Sequence, residues 1–123
     1  MSLLVHFIFS LQTNLKLYHW TTNTYSRHKA IDELLETFLE DSDRFMEVYI
    51  GKYGRKPFTT KKNSTLTIHA LNDVTAEKFL RKSIRFLTVD VQTLLSESDF
   101  DLLTIRDDMV AALNKTRYLF TLR

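Results

Sequence analysis

The sequence has no cysteine, only two glycines and a single proline among 123 residues. The absence of cysteine excludes disulfides, thiolate metal sites and cysteine nucleophiles, and it suits a protein of the cytoplasm. Glycine and proline mark tight turns, so their scarcity favours long helices with few turns. No apolar run reaches the roughly 18 residues that a membrane span needs, and no signal-peptide pattern is present. A soluble protein is therefore expected.

The length of the chain limits the number of domains, and its net charge bears on nucleic-acid binding. The length suits one domain, residues 1–123, with a single core. A net charge of +2 is too mild to indicate nucleic-acid binding by itself. The lysines and arginines of residues 51–72 fit a solvated loop better than a nucleic-acid surface, because aromatic side chains are not interleaved with them.

Apolar periodicity predicts an all-α protein. Spacings of three and four residues, together with a capping box at Thr104–Asp107, predict helices at 2–20, 25–50, 74–96 and 104–122. The second helix is expected to stop at Gly51 and Gly54, and a short helix is expected at 65–70 within the long connection. Two helical hairpins joined by a long crossover describe a ferritin-like four-helix bundle. The core positions predicted for the third helix are Leu80, Ile84, Leu87, Val91 and Leu94.

The second predicted helix carries two pairs of side chains that can bind metal ions. His28 and Asp32 stand four residues apart, and Asp43 and Glu47 repeat that spacing eleven residues after Asp32. Residues four apart share one helix face, so each pair can present two ligands together. His28 and Glu47 nevertheless lie about 28 Å apart on a straight helix, a distance that no single metal site spans.

A second copy of this helix would solve the distance problem. If the two helices pack antiparallel about a two-fold axis near residue 37 or 38, each His28–Asp32 pair meets Asp43 and Glu47 of the partner subunit. Imidazole with carboxylates suits iron, manganese or zinc. The apolar residues and candidate ligands of this helix together cover about 200° of its circumference. One neighbouring helix in a hairpin covers less than that. Both observations favour a homodimer with two identical metal sites.

A family resemblance leads to the same site. His19-Trp20, a short turn, His28-x-x-x-Asp32 and Asp43-x-x-x-Glu47 resemble the ferroxidase signature of the Dps-like mini-ferritins. The resemblance covers residues 19–47 and implies oxidation of Fe(II) by hydrogen peroxide or dioxygen between two-fold-related subunits. It implies that Trp20 is a nearby electron donor and that Glu47 bridges two irons. The implied iron ligands are His19, His28 and Asp32 from one subunit, and Asp43 and Glu47 from its partner.

The resemblance also bears on assembly and partners. In size the chain is similar to short Dps-like proteins of phages and large DNA viruses. Either a dimer or a twelve-subunit cage is compatible with the family. The first helix begins almost at residue 1, without the Lys-rich tail that some family members use to bind DNA, so DNA binding is not expected.

Each singled-out residue has a second interpretation. Asp43 and Glu47 belong to an acid-rich helix, His28 alone can be a surface or capping histidine, and Trp20 can serve packing alone. The competing hypothesis is a non-enzymatic helical homodimer that binds zinc or no metal. Its role would be that of a scaffold or of a contact with a host partner.

Overall fold

A computed structural model describes residues 2–58 and 63–123, and in those ranges the protein contains four helices and no strand. The all-α class is therefore confirmed, and no described helix is long and apolar enough to cross a membrane. A 3₁₀ turn at Lys56–Phe58 follows the second helix. The helices are α1 (Leu3–Thr21), α2 (Tyr25–Tyr53), α3 (the continuous run of Asp73–Arg85, a π-helical turn Phe86–Asp90, and Val91–Leu94) and α4 (Phe100–Leu119).

One buried cluster of apolar side chains takes residues from all four helices. Helical spacing of three and four residues places one face of each helix inward, and burial follows that spacing on α1 and α4 as the sequence predicts. On α2, Phe38 and Phe45 are fully buried in the same cluster. The buried side chains that keep this spacing on α1 and toward the end of α4 are Leu4, Ile8, Leu11, Leu15, Tyr18, Met109, Leu113, Thr116 and Phe120.

Polar contacts at the two ends of α2 show that α2 and α4 run antiparallel. Near the end of α2, the Lys52 ammonium lies 2.8 Å from an oxygen of Asp101, at the start of α4. Near its beginning, the Ser26 hydroxyl donates a 3.0 Å hydrogen bond to the carbonyl of Leu122, beyond the end of α4. The two helices therefore pack side by side along their length.

The start of α3 lies beside the end of α1. The Tyr18 hydroxyl, in the last turn of α1, donates to the carboxylate of Asp73, and Phe7 stacks on Phe86 near the other end of α1. α1 and α3 are therefore also antiparallel. Gly54 therefore lies at the Tyr53 end of the molecule, whereas Asn72 lies at its Thr22 end.

The described part of this connection is held by Asn14, which is completely buried on α1. Its side-chain oxygen accepts a 2.6 Å hydrogen bond from the His69 backbone N–H, and its amide donates to the Thr67 carbonyl. The short helix predicted at 65–70 is wrong: this stretch is irregular, because Asn14 satisfies backbone groups that a helix would pair internally. Residues 59–62 of the connection lie outside the described residues.

The second helix is longer than predicted at its C-terminal end. α2 continues through Gly51 to Tyr53, and Gly54 ends it. Gly54 adopts a φ of 86°, a left-handed conformation that is cheap only for glycine, and its N–H donates a 2.8 Å bond to the Ile50 carbonyl.

The capping box predicted at Thr104–Asp107 is wrong, because α4 begins four residues earlier, at Phe100. Thr104 lies inside the helix, where its hydroxyl donates to the Phe100 carbonyl at 2.8 Å. The residue before the helix is Asp99, which is buried and accepts hydrogen bonds from the Tyr53 hydroxyl and the Ser96 N–H. These contacts with the end of α2 fix where α4 starts.

Leu94 was predicted as a core residue, and that prediction is wrong. Leu94 is 49% exposed, whereas Leu95 is only 9% exposed. The π-helical turn at Phe86–Asp90 inserts one extra residue, which moves the buried position along by one. The Leu87 carbonyl in this turn accepts a 3.1 Å hydrogen bond from the buried guanidinium of Arg106.

The Asp99 contacts make stability depend on pH. Hydrogen bonds from Lys52, then Tyr53, then the Ser96 amide lower the pKa of Asp99 from 3.8 to about 2. Because the folded-state pKa is depressed, this contribution to stability is present above about pH 4 and is lost as the pH falls toward 2. We expect Asp99→Asn to flatten the fall in melting temperature over that window, measured by circular dichroism. The exposed Glu97→Gln variant, the control, should keep the wild-type slope; an equal flattening there would contradict the assignment.

Candidate metal-binding site

The corner between α1 and α2 brings two histidines into direct contact. His19 lies in the last turn of α1, His28 lies in the first turn of α2, and residues 22–24 reverse the chain between them. The two rings stack with centroids 3.9 Å apart and planes 15° from parallel. His19 is buried, and His28 covers it on the solvent side.

Each histidine is held by the backbone of the other. His19 Nδ1 lies 2.9 Å from the His28 carbonyl, and His28 Nδ1 lies 2.8 Å from the His19 carbonyl. A carbonyl oxygen only accepts hydrogen bonds, so each neutral ring must carry its proton on Nδ1. The lone pair is then on Nε2 in both rings, and both rings are fixed in orientation. Histidines that bind metals are oriented in the same way, by a hydrogen bond from the second nitrogen.

Asp32 adds a carboxylate to this corner. It stands one turn after His28 on α2, and its Oδ1 lies 3.9 Å from His19 Nε2. That distance is too long for a hydrogen bond, and a carboxylate oxygen is an acceptor like the lone pair itself, so this contact leaves the lone pair on His19 Nε2 without a partner. The Asp32 side chain is 62% exposed and approaches from the solvent side. The structure therefore places His19, His28 and Asp32 near one another at this corner, and their role as metal ligands stays a prediction.

Asp43 and Glu47 lie elsewhere on the same helix, and both are exposed. Eleven residues of helix separate Asp32 from Asp43, about 16 Å along the axis but only about 20° around it. Leu39, between the two pairs, is 51% exposed. Among residues 2–58 and 63–123 of a single chain, no three histidine, aspartate or glutamate side chains are arranged to hold a metal ion. One chain thus presents two separate pairs of candidate ligands along one face.

Two exposed aromatic side chains flank the histidine stack. Trp20 follows His19 directly and is 69% exposed, with the Lys16 ammonium 5.8 Å from the centre of its ring. Tyr25 lies parallel to His28, with ring centroids 6.2 Å apart. Tyr25 was not singled out from the sequence, although its spacing of three residues before His28 places both on one helix face.

A cluster around Asp73 braces the turn that positions the histidines. The Asp73 carboxylate accepts hydrogen bonds from the hydroxyls of Tyr18, Thr22 and Thr24, and Arg27 donates to its backbone carbonyl at 2.7 Å. The bond from Tyr18 is the main cause that lowers the pKa of Asp73 below 3.8. Sequence reasoning missed this cluster, because its members are far apart in the chain.

Fold and site together define a helical-bundle protein with a histidine-paired corner and acidic residues on the exposed face of α2. The chain belongs to a protein family of unknown function, DUF5856, whose family model matches residues 19–120. The matched segment includes every candidate ligand from His19 to Glu47. No curated protein and no solved structure matches the chain.

The reciprocal hydrogen bonds can be tested separately from metal binding. In His28→Asn, the side-chain amide nitrogen occupies roughly the place of Nδ1 and can still donate to the His19 carbonyl, but Nε2 is lost. In His28→Leu, both nitrogens are lost. We expect His28→Leu to lower the free energy of unfolding by about 1 kcal/mol more than His28→Asn does, measured by urea denaturation without metal. Equal losses would show that the bond does not stabilise the corner.

Proposed function

We propose that this protein is a Dps-like mini-ferritin that oxidises, and stores, iron at sites shared between two subunits. The observation that carries the proposal is the histidine stack, with His19 and His28 both held through Nδ1 and with Asp32 beside the free Nε2 of His19. Two oriented imidazoles and a carboxylate make up one half of the ligand set implied by the resemblance. We place the protein in the cytoplasm of a bacterial or virus-infected cell.

A ferritin-like arrangement of the helices is part of this proposal. Its support is the pair of antiparallel packings, α1 with α3 and α2 with α4, together with the positions of Gly54 and Asn72 at opposite ends of the molecule. In a ferritin-like bundle, two hairpins are joined by one long crossover of this kind.

The second half of each site is proposed to come from another copy of the chain. Two α2 helices packed antiparallel would place Asp43 and Glu47 of the partner subunit opposite His28 and Asp32. The same packing would cover Leu39, whose side chain is half exposed close to the proposed two-fold axis. Dimers of this kind can remain dimers or assemble into a twelve-subunit cage.

The proposed ligands suit Fe(II) as a substrate. Carboxylates are hard oxygen donors that stabilise Fe(III) over Fe(II), and Glu47 would bridge two irons. Two Fe(II) ions lose one electron each; with two protons, one hydrogen peroxide takes up both electrons and becomes two water molecules. With dioxygen as oxidant, the same two electrons and two protons give hydrogen peroxide. The exposed indole of Trp20 is proposed to supply electrons to surplus oxidant.

A non-enzymatic homodimer is the second candidate, and one observation favours it. The histidine pair already satisfies both ring Nδ1 atoms and two backbone carbonyls without any metal, so it has a structural role in its own right. In this candidate the same interface binds zinc, manganese or no metal, and the protein acts as a scaffold or contacts a host partner.

Titration with Fe(II) in the presence of hydrogen peroxide or air separates the two candidates. We expect near-UV absorbance to rise and to saturate at about two irons per site, because each site oxidises a fixed number of ions. His28→Asn, which keeps the corner hydrogen bond, should abolish the saturable phase. The exposed acidic control Glu33→Gln, on the side of α2 that pairs with Lys115 of α4 and not on the face of the proposed ligands, should leave that phase intact. A wild-type curve no different from buffer would exclude ferroxidase activity.

A further inference from the structure

A second concave site lies between α1, α3 and residues 69–71, on a different part of the molecule from the histidine corner. It has a volume of about 600 Å³, within the range of small-molecule sites. About twelve residues of α1 separate Phe7, which lines it, from His19, roughly 18 Å along the helix. The inference drawn from it is therefore independent of metal binding.

The floor of this groove is apolar and open to solvent. Phe7 and Phe86 stack with ring centroids 4.3 Å apart and form its centre. The hydrogen bonds of Asn14 hold the third wall, residues 69–71, against α1, so the groove is formed before any ligand binds. The partly buried apolar side chains that line it are Phe7, Leu71, Phe79 and Phe86.

The rim of the groove is basic. Lys78 and Lys82 stand one turn apart on α3, and His6 and His69 line the groove with them. None of the lining residues is an aspartate or glutamate. In the part of the chain that the structure describes, neither lysine ammonium group forms an ion pair or a hydrogen bond. Their neighbour Arg81, by contrast, is paired with Glu77 at 2.9 Å.

We propose that this groove binds a free anionic amphiphile, a single carboxylate carried on an apolar chain. The aromatic floor offers an apolar surface that such a chain would cover and remove from water. The two ammonium groups on one face of α3 would take the carboxylate, which relieves the repulsion between them. A purely polar anion would leave the floor exposed, and a neutral lipid would leave the lysines without a counter-charge.

Calorimetric titration of the full chain with monomeric decanoate tests this proposal. Lys78→Gln/Lys82→Gln should weaken decanoate binding by about fivefold, the effect of two partly exposed charge contacts. The same double variant should leave the binding of decanol unchanged, because decanol has the chain without the charge. Phe79→Ala should weaken the binding of both ligands, since it removes part of the floor.

A matched control keeps the total charge equal. Lys29→Gln/Lys115→Gln also removes two lysine charges, but from α2 and α4, outside the groove, and it should bind decanoate like the wild type. Circular dichroism and a melting curve establish that each variant is folded. Equal weakening by the groove pair and the control pair would overturn the proposal. So would the absence of saturable decanoate binding to the wild type.

Discussion

Two hydrogen bonds between His19 and His28 fix the corner on which the proposed chemistry depends. Each imidazole donates from Nδ1 to the carbonyl of the other residue, at 2.9 and 2.8 Å. Because both Nδ1 atoms are engaged, the two Nε2 atoms are the only ring positions left for a ligand. The same bonds tie the last turn of α1 to the first turn of α2. The same two bonds therefore help to hold the α1–α2 hairpin and orient the candidate ligands.

Helix length is the second constraint. α2 is a single helix of 29 residues, and its two ligand pairs face almost the same direction from distant turns. A straight helix cannot bend one pair onto the other, so a metal site that uses all of these residues requires another chain. Leu39, half exposed between the pairs, gives the same face an apolar contact point. In the proposed shared site, this leucine would lie in the contact between the two α2 helices.

The sequence predicted those parts of the fold that depend on neighbouring residues in one helix. Apolar spacing located all four helices and the buried face of α1. The start of α4 was missed because Asp99 is held by Lys52 and Tyr53, from the far end of α2. Residues 65–70 were misassigned because Asn14, more than fifty positions away, takes their hydrogen bonds. The π-helical turn moves the buried position from Leu94 to Leu95, and apolar spacing does not reveal such a turn.

The candidate site also has some features that depend on local spacing and others that depend on residues distant in the sequence. The four-residue spacings of His28 with Asp32 and of Asp43 with Glu47 are local, so they could be predicted from the sequence alone. The stacking of His19 on His28 depends on how the Thr22–Thr24 turn closes, and Asp73 from α3 braces that turn. Spacing alone therefore suggested the ligands but not the hydrogen bonds that orient them.

The sharing of ligands between subunits is tested most directly by a mixed dimer. One subunit carries His28→Asn and Asp32→Asn, and the other carries Asp43→Asn and Glu47→Gln. Each homodimer lacks two of the five proposed ligands at both sites and should not oxidise iron. The purified heterodimer has one intact site and one site with both halves damaged, so it should recover about half of the wild-type iron capacity, since distant sites act independently. A folded, verified heterodimer with no recovered capacity would contradict the shared site.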